Sequence, residues 1–233
     1  VARATHNPSD GIKCRSTGWP LAWSPGIPEG RREPIVAGAT LLRTGSKMTD
    51  LIFYQRVVSL DKEEHGKLKL DQVRNLDFAR KTNSVPLVMG EFVDASRDLP
   101  IVFVKGADQS YMPVALLGLR ESENLFIKPD GRWDGRYLPA FIRRYPFAPA
   151  DTGDGKLLVC IDEKAECLGV DDGEALFDEN GPSPTLKNVI GLLQEYQEQA
   201  LRTQAFSKRL ADYNLLVESN AQARLGDGSD FRL

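Results

Sequence analysis

From Leu186 onward, apolar residues recur at steps of three and four: Leu186, Val189, Leu193, Tyr196 and Ala200, then Phe206, Leu210, Tyr213 and Val217. Gln, Glu, Lys and Arg fill the gaps, so only a helix gathers the apolar residues on one face. Ser183 supplies a capping hydroxyl, and Pro184 suits the first helical position, where its missing N–H is not needed. The pattern predicts a long amphipathic helix, or two in succession, over 184–217. A helix with one oily stripe requires a surface to pack on, and the preceding residues must provide it.

They do so as short strands. "LIFYQRVVSL" is β-prone, and "HGKLKLD" alternates Leu68 and Leu70 with lysines, the period of a half-buried strand. "SVPLVMGEFVDASRDLPIVFVKG" reads as strand, short helix around Glu91–Ser96, then strand 101–105. The unbroken Ile-Val-Phe-Val run fits a central strand buried on both faces. "KGADQS" turns the chain into "YMPVALLGLR", its antiparallel partner, and Pro129-Asp130-Gly131 is a second turn. "KLLVCID" is a further buried strand. The expected fold class is α+β: a mixed, largely antiparallel sheet of short strands packed against a long C-terminal amphipathic helix.

The two ends read differently from this body. Residues 1–47 hold seven basic and three acidic residues, about +4, against -3 for the whole chain, so the remainder carries about -7. Six glycines and five prolines interrupt any period there, as in "GWPLAWSPGIPEG". Such a segment buries too little apolar surface to offset its ordering entropy, and a disordered leader is expected. Arg31 and Arg32 ahead of a short apolar run suggest a secretion signal, but the run starts late and lacks a small-x-small cleavage pattern. A functional basic tail is the second reading. The third is that 1–47 is non-native translation upstream of a natural start at Met48. At the other end, "AQARLGDGSDFRL" has hairpin chemistry, with Ala221, Ala223 and Leu225 before the turn and Phe231 and Leu233 after it. Its second arm is short, and the domain over 48–233 reads as truncated at its C-terminus.

Catalytic constellations are scarce. His6 lies in the leader, which leaves His65, in the charged stretch "DKEEHGKLK" typical of a surface. Cys160 in "LLVCID" reads as a buried, inert thiol. The three cysteines form no CxxC pair and suit a reduced compartment. Eight acids crowd "DEKAECLGVDDGEALFDENG" against the single Lys164. The pairs Asp171-Asp172 and Asp178-Glu179 raise a metal hypothesis, yet the spacing of a calcium loop is missing, and a solvated acidic loop is expected. No metal or cofactor is expected, and no phosphate-binding or nucleophile-elbow motif is present.

"GRWDGRYLPAFIRRYPF", Gly131 to Phe147, sets four arginines among five aromatics. At 100° per residue Leu138, Phe141, Ile142 and Tyr145 share one face, a helix of about two turns held between Pro139 and Pro146. Burial of Leu138, Phe141 and Ile142 is worth roughly 5–9 kcal/mol as an upper bound, so core packing explains the rings better than base stacking. Arg136 and Arg143 project opposite and Arg144 on the flank. Together they can grip a phosphate or carboxylate, or pair with the acidic 162–179 segment at little net gain. Trp133, Arg136, Arg143 and Arg144 are therefore the candidate ligand site, for an anion or a partner protein.

"NSVPLVMGEFVDASRDLPIVFVKG", "PVALLGLRESENLFIKPDGRWDGRYLPAFIRRYPF", "VCIDE", "GEALFDENGPSPTL" and "LLQEYQEQALRTQAFSKRL" resemble the bacterial SapC family, from about Met48 to the last residue. The family meant is the surface-layer-operon type, not the peptide-transport permease of the same name. The resemblance implies a start at Met48, and relatives that continue past this C-terminus with a further strand and a helical segment. It implies a role in surface-layer or envelope processes and carries over no catalytic residue, cofactor or ligand. The resulting expectation is a non-catalytic accessory or binding protein, cytoplasmic or alternatively envelope-associated. Its partner would be a protein or a small anionic ligand, with no nucleic acid and no membrane insertion. The alternative is an enzyme acting on a small or peptide substrate near Arg136–Arg144. Intact-mass analysis of protein expressed from its native gene is expected to show Met48 as the first residue; a product beginning at Val1 would overturn that start.

Overall fold

The computed structural model describes residues 52–151, 157–219, 222–224 and 230–232. The leader 1–47 lies outside them. In chain order come β1 (Val57–Ser59), α1 (Lys62–His65), β2 (Lys69–Leu70) and β3 (Ser84–Pro86), with a tight turn at Asp77–Ala79 between the last two. A second tight turn, Met89–Glu91, runs into α2 (Phe92–Ala95), followed by β4 (Ile101–Lys105) and β5 (Tyr111–Leu116). After α3 (Ala140–Arg143) come β6 (Phe147–Asp151), β7 (Leu157–Asp162), β8 (Leu168–Gly169), β9 (Glu174–Ala175), β10 (Phe177–Asp178) and β11 (Gly181–Pro182). The long helix α4 (Pro184–Asp212) precedes the ribbon β12 (Gln222–Arg224) and β13 (Asp230–Arg232).

This is the expected α+β class, with the strands divided among small sheets. Two three-stranded sheets, β1-β7-β6 and β3-β5-β4, form the main layers, and β8-β2-β9 forms a third. Every pairing among the described residues is antiparallel. The apolar run 101–105 is a strand, but β4 stands at a sheet edge with Val102 38% exposed, and β5 takes the centre. Apolar content alone does not report how many neighbours a strand has. Pro113 limits the other side of β5. The Leu87 N–H donates to the Pro113 carbonyl, 3.0 Å, and proline has no N–H to return the bond. β3 has ended one residue earlier, at Pro86.

α4 lies across both main sheets, against β5 and β6. The Ser183 hydroxyl accepts from the Leu186 N–H at 3.1 Å, the cap that its position predicts. Leu186 and Leu193 are buried against Phe147, Ile161 and Leu176, and Tyr196 reaches the other core, which holds Phe53, Val85, Leu87, Phe141, Ile142 and Tyr145. Beyond Tyr196 the buried face turns polar: Thr203 and Ser207 are buried, whereas Tyr213 and Val217 are 67% and 85% exposed. The helix stops at Asp212 rather than 217 because Asn214 adopts φ 53°. The Leu215 N–H then donates to the Leu210 carbonyl and the Asn214 N–H to Ala211, which satisfies two of the carbonyls that a helix end leaves free. Asn214 was a readable stop signal, masked by the apolar stripe that runs through it. Among the described residues no helix is long and apolar enough to cross a membrane.

Leu193→Ala should cost about 2–5 kcal/mol in urea unfolding, and Leu215→Ser should fall within about 0.5 kcal/mol of wild type. Equal losses would remove Leu193 from the core.

Candidate functional site

The segment after β5 folds back on itself, with Ile127 bridged to Trp133. The Gly131 N–H donates to the Lys128 carbonyl at 2.9 Å and the Lys128 N–H to the Arg132 carbonyl at 2.8 Å. Gly131 has φ 80°, which strains any side chain, and a Cβ there would also sit 2.1 Å from Asn75 Oδ1, so the turn favours glycine. The turn delivers Trp133 onto Phe126, with ring centroids 5.3 Å apart and planes 22° from parallel. The indole Nε1–H donates to the Tyr137 carbonyl at 3.0 Å, which fixes the ring in its plane. Gly135 passes close beside it: a Cβ there would lie 2.7 Å from Trp133 Nε1.

These residues line an open depression of about 430 Å³, together with Asp98, Asp134 and Arg136. Asp98 arrives from the turn after α2. Its Oδ2 accepts from the Arg136 N–H at 2.5 Å, and its Oδ1 lies 3.8 Å from Arg136 Nε. Lys128 Nζ pairs with Asp134 at 2.8 Å. Each lining carboxylate therefore has a cationic neighbour.

The four candidate residues are not brought together. Trp133 and Arg136 line the depression, Arg136 with 77% of its side chain exposed. Arg143 is exposed, its guanidinium 5.9 Å from the Tyr137 ring centroid. Arg144, expected on an exposed flank, is buried, its guanidinium 4.2 Å from the Phe141 centroid and 5.0 Å from that of Tyr196. The physical reason is tertiary: the Arg144 backbone stays helical, its N–H donating to the Ala140 carbonyl at 2.9 Å, and Tyr196 of α4 covers the flank on which it projects. Of the face expected inward, Phe141, Ile142 and Tyr145 are buried, while Leu138 is half-buried and precedes α3, which has one turn rather than two. Arg136 pairs with Asp98, outside the acidic 162–179 segment.

Two buried carboxylates and a histidine were not legible as such. Glu91 Oε1 accepts from the Tyr137 hydroxyl at 2.9 Å and from the Ala140 N–H at 2.7 Å, and Oε2 accepts from the Val88 N–H at 3.0 Å. An acid three residues after the start of a turn was its only signal. Asp162, counted with the solvated acidic run, has no exposed surface. Of the other acids in that run, Glu163 is half-buried, and Glu166, Asp171, Asp172, Glu174, Asp178 and Glu179 are exposed. His65, expected at the surface, is 4% exposed. Its Nδ1 lies 3.0 Å from the Asp61 N–H and its Nε2 3.3 Å from Glu163 Oε1, and Glu163 also pairs with Arg56 at 2.9 Å. A local helix turns the ring inward, which charge content cannot reveal. Cys160 is buried on β7, and burial pushes the Cys167 thiol up to about 11, which keeps it protonated. Among the described residues no group of three or more His, Cys, Asp or Glu side chains is placed to hold a metal ion.

Burial first, then the charge of Glu91, pushes the Tyr137 phenol from 10.0 up to about 12, against the opposing pull of Arg143. The unfolded chain loses this proton first as pH rises. The contribution of Tyr137 is complete below pH 10.0 and disappears as pH rises through about 12. Tyr137→Phe should therefore lower stability by about 1 kcal/mol at neutral pH, and the gap from wild type should close in alkali. A gap that persists unchanged above pH 12 would mean that the phenol–Glu91 bond is not made.

A family model, SapC, matches residues 60–233, a span that takes in every element from α1 to the last strand. No curated protein and no solved structure matches the sequence. The matched span is well over half of the sequence and includes the depression, the buried acids and the long helix: the chain belongs to the SapC family.

Proposed function

We propose that this chain is a non-catalytic accessory or binding protein in surface-layer or envelope processes, acting from the cytoplasm. The envelope setting comes from the family resemblance. The binding reading rests on the depression at Trp133: it is open, its lining includes two stacked rings, and its carboxylates are already engaged by Arg136 and Lys128. Such a surface is equipped to stack and hydrogen-bond. Catalysis would ask for a nucleophile and a base poised on each other. The nucleophilic and basic groups elsewhere support this reading, since Cys167 is held as a thiol and His65 is tied into a structural knot between Asp61 and Glu163.

One observation favours the enzyme reading: Asp98, with 20% of its side chain exposed, shares the depression with an aromatic ring and an arginine. The two readings separate in one experiment. Immobilised full-length protein is incubated with solubilised envelope material, and the retained component is identified by mass before and after prolonged contact. Binding predicts retention of an unchanged component, reduced at least about tenfold by Trp133→Ala. Recovery of a cleaved or modified component would overturn it.

A further inference from the structure

We infer that the depression at Trp133 takes a neutral sugar unit of a glycan; this rests on the binding reading above. The first argument is charge. Asp98 and Asp134 bring two negative charges to the rim, and Arg136 and Lys128 bring two positive ones within ion-pair reach. A small anion held by Arg136 Nε meets Asp98 beside it, and a cation at Asp98 meets Arg136. The site has no net charge to offer either, and a neutral ligand loses nothing by that balance.

The second argument is shape and donor pattern. Trp133, backed by Phe126, gives the lining an aromatic ring, and the C–H-rich face of a pyranose is the flat surface that pairs with such a ring. The rim gives acceptors and donors side by side, Asp98 carboxylate next to Arg136 guanidinium, 3.8 Å apart. Adjacent ring hydroxyls match that pair, one donating to the carboxylate and the other accepting from the guanidinium. An aromatic peptide side chain would use the ring and leave this rim unpaired. The volume of about 430 Å³ lies within the range of small-ligand sites, roughly 300–1,000 Å³. Because the depression is open rather than enclosed, an internal unit of a chain can lie in it with its neighbours in solvent.

The third argument is the way the ring is held. Trp133 is fixed by its Nε1–H bond to Tyr137, by Phe126 beneath it and by the bare backbone of Gly135 at its edge. A half-exposed indole fixed by three contacts is pre-organised, and stacking it against a ligand costs little further ordering.

The test is calorimetric titration of the full chain with neutral tetrasaccharides of glucose, mannose, galactose and N-acetylglucosamine. An oligogalacturonate, an acidic peptide and a tetralysine serve as charged comparators. At least one neutral oligosaccharide should bind with a micromolar to low-millimolar Kd that does not change between low and high salt. Trp133→Ala and Asp98→Asn should each weaken it at least about tenfold, and Gly135→Ala, which drives a methyl against the indole, should do the same. Arg136→Ala, at a mostly exposed side chain, checks the rim without risk to the core. Binding of a charged comparator alone, or salt-sensitive binding, overturns the sugar assignment. Failure of every neutral oligosaccharide also overturns it. If envelope material is still retained through Trp133, the binding reading survives that failure; if nothing is retained, both fall.

Discussion

A carboxylate with no exposed surface, Asp162, joins parts of this protein more than 100 residues apart in sequence. It stands at the end of β7, and an acid removed from water is costly by several kcal/mol unless donors surround it. They do: the N–H groups of Gln55 at 2.8 Å, Arg56 at 2.9 Å and Lys164 at 3.1 Å, with the Tyr145 hydroxyl at 3.4 Å. The backbone N–H of Asp162 in turn donates to the Pro146 carbonyl at 3.0 Å. One residue thus holds the lead-in to β1, the turn that closes α3 and the start of the acidic loop. Burial and the neighbouring Asp162 together push the Tyr145 phenol upward, so it stays a donor throughout the physiological range. Around this knot the aromatic core assembles, with Phe78 stacked on Tyr145 at 3.9 Å and Phe53 edge-on to Phe141 at 5.4 Å.

Much of the architecture was legible because it rests on periodicity. The stripe from Leu186 to Tyr196, the cap at Ser183, the β4–β5 hairpin and the strand 157–162 all follow from spacing that admits one regular structure. Errors arise where tertiary context decides. β4 and β5 carry similar apolar content, and only the pairing of β3 with β5 makes β5 the central one. His65 and Asp162 lie in charged runs, and their burial depends on donors up to 107 residues away in sequence.

The candidate site divides the same way. Trp133 and Arg136 are visible in a single short stretch, and their turn chemistry at Pro129-Asp130-Gly131 is written beside them. Asp98, which gives Arg136 its partner, is 38 residues distant and carried no signal in the sequence. Arg144 is the sharper lesson. Its neighbour Arg143 faces solvent, yet Arg144 lies between the rings of Phe141 and Tyr196, a placement that depends on Tyr196 of α4, 52 residues further on, covering that flank. A guanidinium between two rings is stabilised by their π-faces, and its long aliphatic stem fills core volume.

The polar half of α4 has a different consequence. Thr203 accepts from the Met89 N–H at 2.8 Å while donating to the Gln199 carbonyl at 2.6 Å. Leucines slide past one another with little loss when a helix shifts along its axis, but a hydroxyl seated on one particular amide does not. The first half of α4 supplies adhesion and the second supplies registration, much as a threaded bolt is turned home and then pinned. Drift among related sequences should accordingly run freely through aliphatic exchange near Leu193 and slowly at Thr203, whose side chain records where along the sheet the helix must stop.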